Sequence, residues 1–195
     1  GEPMNFLLVI DHPNQNSFNY QVMHHFIKGI QANQHTFDIC DLEKDQFNPV
    51  ISIKDLEKYA AGGFTDENIE SYQRQIMSAD CMVFFFPVWW IAPPARLKGW
   101  MDKVLLPNFA FTEGQIPQPL LSHIQKAIFF TTTGVSDDVF QKEFGSAFRL
   151  VFDKGVFQFC GIQDMEWFNC GDVGFASREK LTEWLTFVQS FAEKL

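Results

Sequence analysis

The segment Asp11–Asn19 directly follows an apolar run and carries residue types that bind phosphate. It contains neither G-x-G-x-x-G nor G-K-[ST], so the ordinary dinucleotide and nucleoside-triphosphate fingerprints are absent. His12, the Ser17 hydroxyl and the backbone N–H groups up to Asn19 are expected to converge at a helix N-terminus. The helix dipole and the unpaired donors there favour an anion. An ordinary helix cap with His12 at the surface is the alternative interpretation.

A second segment, Pro87–Pro94, places two indoles and three prolines after the most apolar run of the chain. Flat, rigid and apolar walls suit an aromatic ring system, and backbone amides of the loop could reach the heteroatoms of such a ring. Core packing of Trp89 and Trp90 is the alternative.

The third segment, Thr131–Gly134, combines three hydroxyl side chains with a glycine, which allows close approach of the backbone to a ligand. A simple turn at the end of a strand would have the same sequence. If the three segments follow neighbouring parallel strands, they meet where open α/β sheets bind ligands, beyond the carboxyl ends of the strands.

Short apolar runs alternate with helix-length segments, which predicts a doubly wound α/β fold: a five-stranded parallel sheet with helices on both faces. Apolar character at every position of Cys81–Phe86 indicates burial on both faces of the sheet. The predicted strands are 5–10, 36–42, 81–86, 127–133 and 163–169. The predicted helices are 20–30, 66–79, 95–105, 136–152 and one capped by Ser177.

Composition excludes several functional classes. Fifteen Lys and Arg against 24 Asp and Glu give a net charge of −9, which argues against broad nucleic-acid or anionic-membrane binding. The longest apolar stretch, residues 81–95, is interrupted by three prolines and is too short for an integral membrane segment. The four cysteines show no C-x-x-C spacing, which favours reduced thiols and no metal site. A cytoplasmic location is expected, because neither a membrane segment nor a signal-peptide pattern is predicted. Gly1–Pro3 is interpreted as a vector-derived remnant, and residues 4–195 as a single domain.

Five segments, in the same order along the chain, resemble the NAD(P)H:quinone oxidoreductase (DT-diaphorase-like) family of flavodoxin-fold flavoproteins. The longest of them, with Phe86-Pro-Val-Trp-Trp at its start, is the most specific. The segments are Ser17–Tyr20, Phe86–Val104, Asn108–Thr112, Thr132–Gly134 and Phe159–Gly161.

The resemblance implies a flavodoxin-like sheet with a flavin in the crevice between the first and third strands. In the family, the counterparts of His12, Phe18 and Asn19 hold the flavin phosphates. Those of Val88–Ile91 line the isoalloxazine, and those of Thr132–Gly134 contact its pyrimidine side. Gln73 matches a glutamine near the adenine end of FAD, which favours FAD over FMN. The predicted cofactor-binding residues are His12, Ser17, Phe18, Asn19, Gln73, Pro87, Val88, Trp89, Trp90, Ile91, Thr132, Thr133 and Gly134.

Phe111 and Phe159 match aromatic positions of the family's substrate pocket, which a partner subunit completes. Phe140 stands where better-known members carry a tyrosine, and no histidine follows Gly134. Phenylalanine cannot donate a proton, so the family's proton relay is missing or replaced. No side chain is assigned as catalytic, and backbone amides near Thr133 and Gly134 are the candidates to stabilise charge. The family's long C-terminal extension is also absent from this sequence, so part of the pocket is expected to be built differently.

The sequence therefore predicts a homodimeric oxidoreductase that transfers a hydride from NAD(P)H to flavin. Two electrons then pass to a quinone or a related flat aromatic acceptor in a ping-pong mechanism. A flavodoxin-fold regulatory subunit of a transport system and a one-electron flavodoxin-type carrier are the alternatives.

Overall fold

Strand β3 is buried at every position because it lies at the centre of a parallel sheet covered on both faces. The computed structural model describes residues 1–195. Its strand order is β2-β1-β3-β4-β5, and all four pairings are parallel. The strands are β1 (Asn5–Ile10), β2 (Thr36–Asp41), β3 (Cys81–Pro87), β4 (Lys126–Thr132) and β5 (Met165–Cys170). The predicted α/β class and strand number are confirmed.

Helices cover both faces of this sheet and create two hydrophobic cores. Phe26 on α1 and Val188 on α6 belong to one core, and Trp100 on α4 belongs to the other. None of the helices has both the length and the apolar character needed to cross a bilayer. The helices are α1 (Phe18–Ala32), α2 (Ile53–Tyr59), α3 (Asn68–Ser78), α4 (Ala95–Val104), α5 (Asp137–Arg149) and α6 (Arg178–Ala192).

Close packing of α1 on α6 depends on Gly29. A Cβ at this position would lie 2.4 Å from the Ala192 Cβ and 2.6 Å from the Gln189 carbonyl oxygen. The missing side chain therefore lets the two helix backbones approach. Ser177 caps α6 as predicted, since its hydroxyl accepts from the Lys180 N–H.

Two elements depart from the prediction. Helix α2 was not predicted, because none of its residues is buried and it lacks a core-facing apolar stripe. The predicted helix 136–152 divides into α5 and a π-helical segment, Leu150–Gln158. Segments of π-helix are rare and frequently occur at functional sites; this one forms one side of an apolar groove described below.

Candidate functional site

The three predicted loops meet at one edge of the sheet. Strands β1, β3 and β4 are neighbours, so their carboxyl ends lie side by side. The chain leads from β1 to β2 on one side and from β3 to β4 on the other, so the strand order reverses between β1 and β3. We call this gap, with the loops 11–17, 88–94 and 133–136, the crevice.

Helix α1 begins at the crevice with donors that have no protein partner. Ser17 is the N-cap residue, but its side chain makes no capping hydrogen bond. Its Oγ is buried and unpartnered. Because the first N–H groups of a helix have no intrahelical acceptor, the amides of Phe18 and Asn19 also remain available. An anion at this position would satisfy these groups.

His12, in the same loop as Ser17, presents a defined tautomer. The backbone N–H of Asn14 donates to His12 Nδ1 at 3.0 Å, so the proton of the neutral ring is assigned to Nε2. Burial lowers the pKa of His12, because it penalises the charged form of the ring. The imidazole is therefore a neutral donor at Nε2. Its ring centroid lies 6.4 Å from that of Trp89, which joins the first loop to the second.

The second loop is a tight turn with a strained backbone. Trp89 and Ala92 exchange backbone hydrogen bonds of 2.9 and 3.1 Å. The two residues between them, Trp90 and Ile91, have φ angles of 52° and 59°. Consecutive left-handed residues form a type I′ turn, which normally contains Asn or Gly. A β-branched residue in this region is a marked outlier, and such strain clusters at ligand sites.

The same turn exposes apolar surface to solvent. Trp90 is 99% exposed and Trp89 is 47% exposed. The turn therefore displays the indoles on the surface instead of packing them in the core. The sequence left this alternative open, and the structure excludes core packing for Trp90.

Thr132 connects all three loops. Its carbonyl accepts from the Val88 N–H at 2.9 Å, and its Oγ1 lies 3.3 Å from Asn19 Nδ2 on α1. The next two residues form the third loop, with Thr133 buried and Gly134 exposed. A Cβ added at Gly134 would meet no atom within 4 Å, so the backbone of the third loop borders open space. A flat ligand can approach it there.

Asp11 is a site residue to which sequence reasoning assigned no role. It is buried, and its Oδ2 accepts from the Leu97 N–H at 2.9 Å. Burial raises the pKa of Asp11, while this hydrogen bond and nearby Arg96 oppose the shift. The contact fixes the first loop to the first turn of α4. The signal for Asp11 in the sequence is its position, because it is the first polar residue after the apolar run 6–10.

Two predicted site residues lie away from the crevice. Gln73 on α3 donates from Nε2 to the Val104 carbonyl at 3.1 Å. Val104 ends α4, about 14 Å from the start of that helix at a rise of 1.5 Å per residue. Phe140 is 1% exposed and packs edge-to-face on Trp167 with centroids 5.5 Å apart. Since its side chain is enclosed by the core, the structure does not place Phe140 on a substrate surface.

The other two predicted substrate residues line a separate groove. The rings of Phe111 and Phe159 pack edge-to-face with centroids 5.2 Å apart. They border a cavity of ≈ 470 Å³ between α2, α4 and the π-helical segment. Its apolar wall also includes the residues Ile51, Leu56, Tyr59, Met101, Leu105, Val151, Phe152 and Val156. We call this cavity the apolar groove.

Comparison with known proteins identifies the same fold. Residues 4–188 match the family model described as a flavodoxin-like fold. An uncharacterized NAD(P)H oxidoreductase of Haemophilus influenzae is 33% identical over 174 residues, which cover 87% of this chain and 85% of that protein. NAD(P)H dehydrogenase [quinone] 1 of Cavia porcellus is 27% identical over 82% of the chain, and the match spans 66% of the length of that enzyme.

Two solved structures have the same architecture. An NAD(P)H:quinone oxidoreductase from Methanothermobacter marburgensis superposes with a TM-score of 0.90 at 20% identity, over 98% of each chain. An FMN-dependent NADH-azoreductase from Bacillus anthracis, solved in complex with FMN, superposes with a TM-score of 0.78 at 19% identity, also over 98% of each chain. At these identities the likeness establishes the fold.

Proposed function

We propose, since this chain belongs to the flavodoxin-like fold family, that it is a flavin-dependent NAD(P)H:quinone oxidoreductase. The observation that carries the proposal is the convergence of three features at one crevice. They are the donors without a partner at the start of α1, the exposed indoles of the second loop and the open space at Gly134 in the third loop. When bound there, a flavin accepts a hydride from NAD(P)H and passes two electrons to a quinone. The names of the related proteins in the preceding subsection support this chemistry.

The residues at the start of α1 fit the phosphate end of a flavin nucleotide. The Ser17 hydroxyl is a buried donor without a partner, and neutral His12 of the same loop offers Nε2–H. Both hold negative charge by hydrogen bonds together with the helix dipole. Asp11 Oδ2 accepts from the Leu97 N–H at the start of α4, so this carboxylate is bonded to the protein itself.

The second and third loops fit the ring of the cofactor. Trp89, Trp90 and Ile91 supply an apolar wall, with Pro87 and Val88 at the end of β3. The backbone amide of Gly134 would border the pyrimidine side, where negative charge increases on reduction. The other predicted amide, that of Thr133, already donates to the Cys170 carbonyl. No side chain of the chain is required as a covalent nucleophile or proton relay in this scheme.

The predicted cofactor is FAD, with FMN as the alternative. Gln73 favoured FAD in the sequence, but its side-chain amide is bound to the Val104 carbonyl. Resemblance to the family therefore remains the support for FAD, and the FMN-bound azoreductase neighbour supports FMN. Mass analysis of cofactor released from the purified protein distinguishes the two.

We further propose that two copies form the functional dimer. The apolar groove is bordered by exposed Leu56, Val151 and Phe159, and Leu150 beside it is also exposed. A second copy would cover this surface and bring the pair Phe111 and Phe159 against the partner's crevice. Mass measurement in solution tests this arrangement, with Leu150→Asp and Val151→Asp as variants expected to shift the mass toward that of a monomer.

The complete proposal also includes a single domain over residues 4–195 and a cytoplasmic location. The four free, buried cysteines support a reducing environment. Burial raises the pKa of Cys81, Cys160 and Cys170 to about 11, so these thiols stay protonated and unreactive at neutral pH.

The deciding experiment is an absorption spectrum of the purified protein, followed by steady-state oxidation of NADH and NADPH with a quinone. Flavin bands and parallel lines in double-reciprocal plots are the expected results. A protein that binds no flavin, even when FAD and FMN are supplied in excess, would contradict the proposal. Tight flavin binding with negligible quinone reduction would indicate the regulatory-subunit alternative instead.

A further inference from the structure

A chain of buried hydrogen bonds lies directly behind the third loop of the crevice. Its central residue is Asn169 on β5, which is 5% exposed. Asn169 Nδ2 donates to Thr133 Oγ1 at 2.9 Å and to Asp137 Oδ1 at 3.0 Å. Its Oδ1 accepts from Thr131 Oγ1 at 2.8 Å. The functions described above leave Asn169 without a role.

The residues at the two ends of this chain, Trp167 and Asp137, determine the direction of each hydrogen bond in it. The indole of Trp167 can only donate, and it donates to Thr131 Oγ1 at 2.8 Å. The Thr131 proton therefore goes to Asn169 Oδ1, and both protons of the Asn169 amide face away from Thr131. Reversing the amide would set Asn169 Oδ1 against the carboxylate of Asp137. One orientation of Asn169 is consequently strongly preferred.

The chain of bonds ends in the loop that borders the crevice. Thr133 Oγ1 accepts from Asn169 and donates to the Val135 carbonyl at 2.9 Å. The backbone N–H of Thr133 donates to the Cys170 carbonyl, and the Val135 carbonyl accepts from the Asp172 N–H, both at 3.0 Å. Both residues that flank Gly134 are thus held from β5 and the turn after it. Gly134 itself still borders open space, because no atom lies within 4 Å of a Cβ added there.

We propose that Asn169 is a positioning residue that orients the turn Thr133–Val135, so that the free backbone N–H of Gly134 faces the site of charge on a bound flavin. It acts through the Thr133 hydroxyl, and it keeps the carboxylate of Asp137 hydrogen-bonded outside that turn. Amides fixed before reduction stabilise the additional negative charge without reorganisation. This inference rests on the proposed function, because it concerns the flavin site of the same crevice.

The test compares the two-electron midpoint potential of the bound flavin in variants of equal size. Asn169→Leu removes both donors, and Thr133→Val removes the hydroxyl on which they act. Each is expected to weaken the binding of reduced relative to oxidised flavin about tenfold, which lowers the potential by about 30 mV for two electrons. The double variant is expected to shift no further than Thr133→Val alone, because both changes break the same path.

Thr131→Val is the matched control. This substitution also removes a buried hydroxyl from the chain of hydrogen bonds, but it leaves the bonds of Asn169 to Thr133 and Asp137 in place. It is expected to lower the stability to unfolding without shifting the flavin potential. Thr133→Val gives the same test if Asn169→Leu does not fold.

Two outcomes would overturn the inference: a folded Asn169→Leu protein with the wild-type potential, or an equal shift in Thr131→Val. Neither outcome affects the proposed function, since flavin is still bound and reduced. Failure of the wild-type protein to bind flavin would contradict the proposed function, and it is detected before any variant is compared.

Discussion

The hydroxyl of Thr132 lies 3.3 Å from the side-chain amide of Asn19, although 113 residues separate them in the sequence. Both side chains are buried. The carbonyl of Thr132 also accepts from the Val88 N–H. Thr132, at the end of β4, therefore connects the start of α1 to the second loop, and the third loop follows it directly.

Replacing Thr132 should disturb more than its own loop. We expect Thr132→Val to lower the free energy of unfolding by about 1–2 kcal/mol, because the Asn19 amide would be left buried without its partner. Flavin affinity should fall in parallel, since α1 carries the phosphate donors. Urea denaturation and flavin fluorescence titration measure the two effects. In the double variant with Asn19→Leu the losses should be less than additive, and full additivity would show that the contact carries no coupling energy.

The glycines around the crevice allow steric access to be separated from stability. A Cβ at Gly134 or at Gly174 meets no atom within 4 Å, whereas a Cβ at Gly171 would lie 2.2 Å from the Asp137 nitrogen. We expect Gly134→Ala to keep the apo-protein stability but to weaken flavin binding about tenfold, a loss of about 1.4 kcal/mol. Gly171→Ala should lower stability by about 1–3 kcal/mol through backbone displacement.

Gly174→Ala is the control for these two variants and should change neither stability nor flavin affinity. Thermal unfolding of the apo proteins and titration with flavin separate the cases. Unchanged flavin affinity in Gly134→Ala would mean that no ligand approaches the third loop at this glycine.

One substitution in the strained turn of the second loop should relieve backbone strain and also remove the Trp90 indole. Trp90 is fully exposed and left-handed, so Asn in its place loses no packing and suits the φ of 52°. We expect Trp90→Asn to raise the free energy of unfolding by up to about 1 kcal/mol. Quinone reduction should decline about fivefold in kcat/KM, because a stacking wall is lost. A variant that is both less stable and equally active would contradict this role for the turn.

The lowered pKa of His12 predicts a dependence of stability on pH. Since the folded protein holds the ring neutral below the ordinary value of 6.5, the unfolded chain binds the proton more readily. This contribution to stability is complete above pH 6.5 and is lost as the pH falls through 6.5 toward the lowered value. We expect His12→Gln to show a smaller loss than wild type between pH 7 and pH 5. Identical urea midpoints for the two proteins across that range would refute the prediction.

Helix α2 shows how a local sequence signal can be present and still be overlooked. Ser52 and Asp55 form a capping box, in which each side chain accepts from the backbone of the other. This spacing is readable in the sequence, but periodicity alone does not reveal a short helix without buried residues. The π-helical segment has no comparable local signal, and its buried residues Phe152 and Phe157 belong to the same core as Trp100.

The sequence alone determined the order of the five strands, most of the helices and the loops of the candidate site, because apolar runs, prolines and caps are local features. Its interpretation of Gln73 and Phe140 as ligand residues relied on matched positions, which say nothing about side-chain partners. Only the tertiary structure decided that Gln73 binds the Val104 carbonyl, that Phe140 is enclosed beside Trp167, and that Asn169 supports the third loop. Such contacts join residues far apart in the chain, and they form only when the sheet brings the elements together.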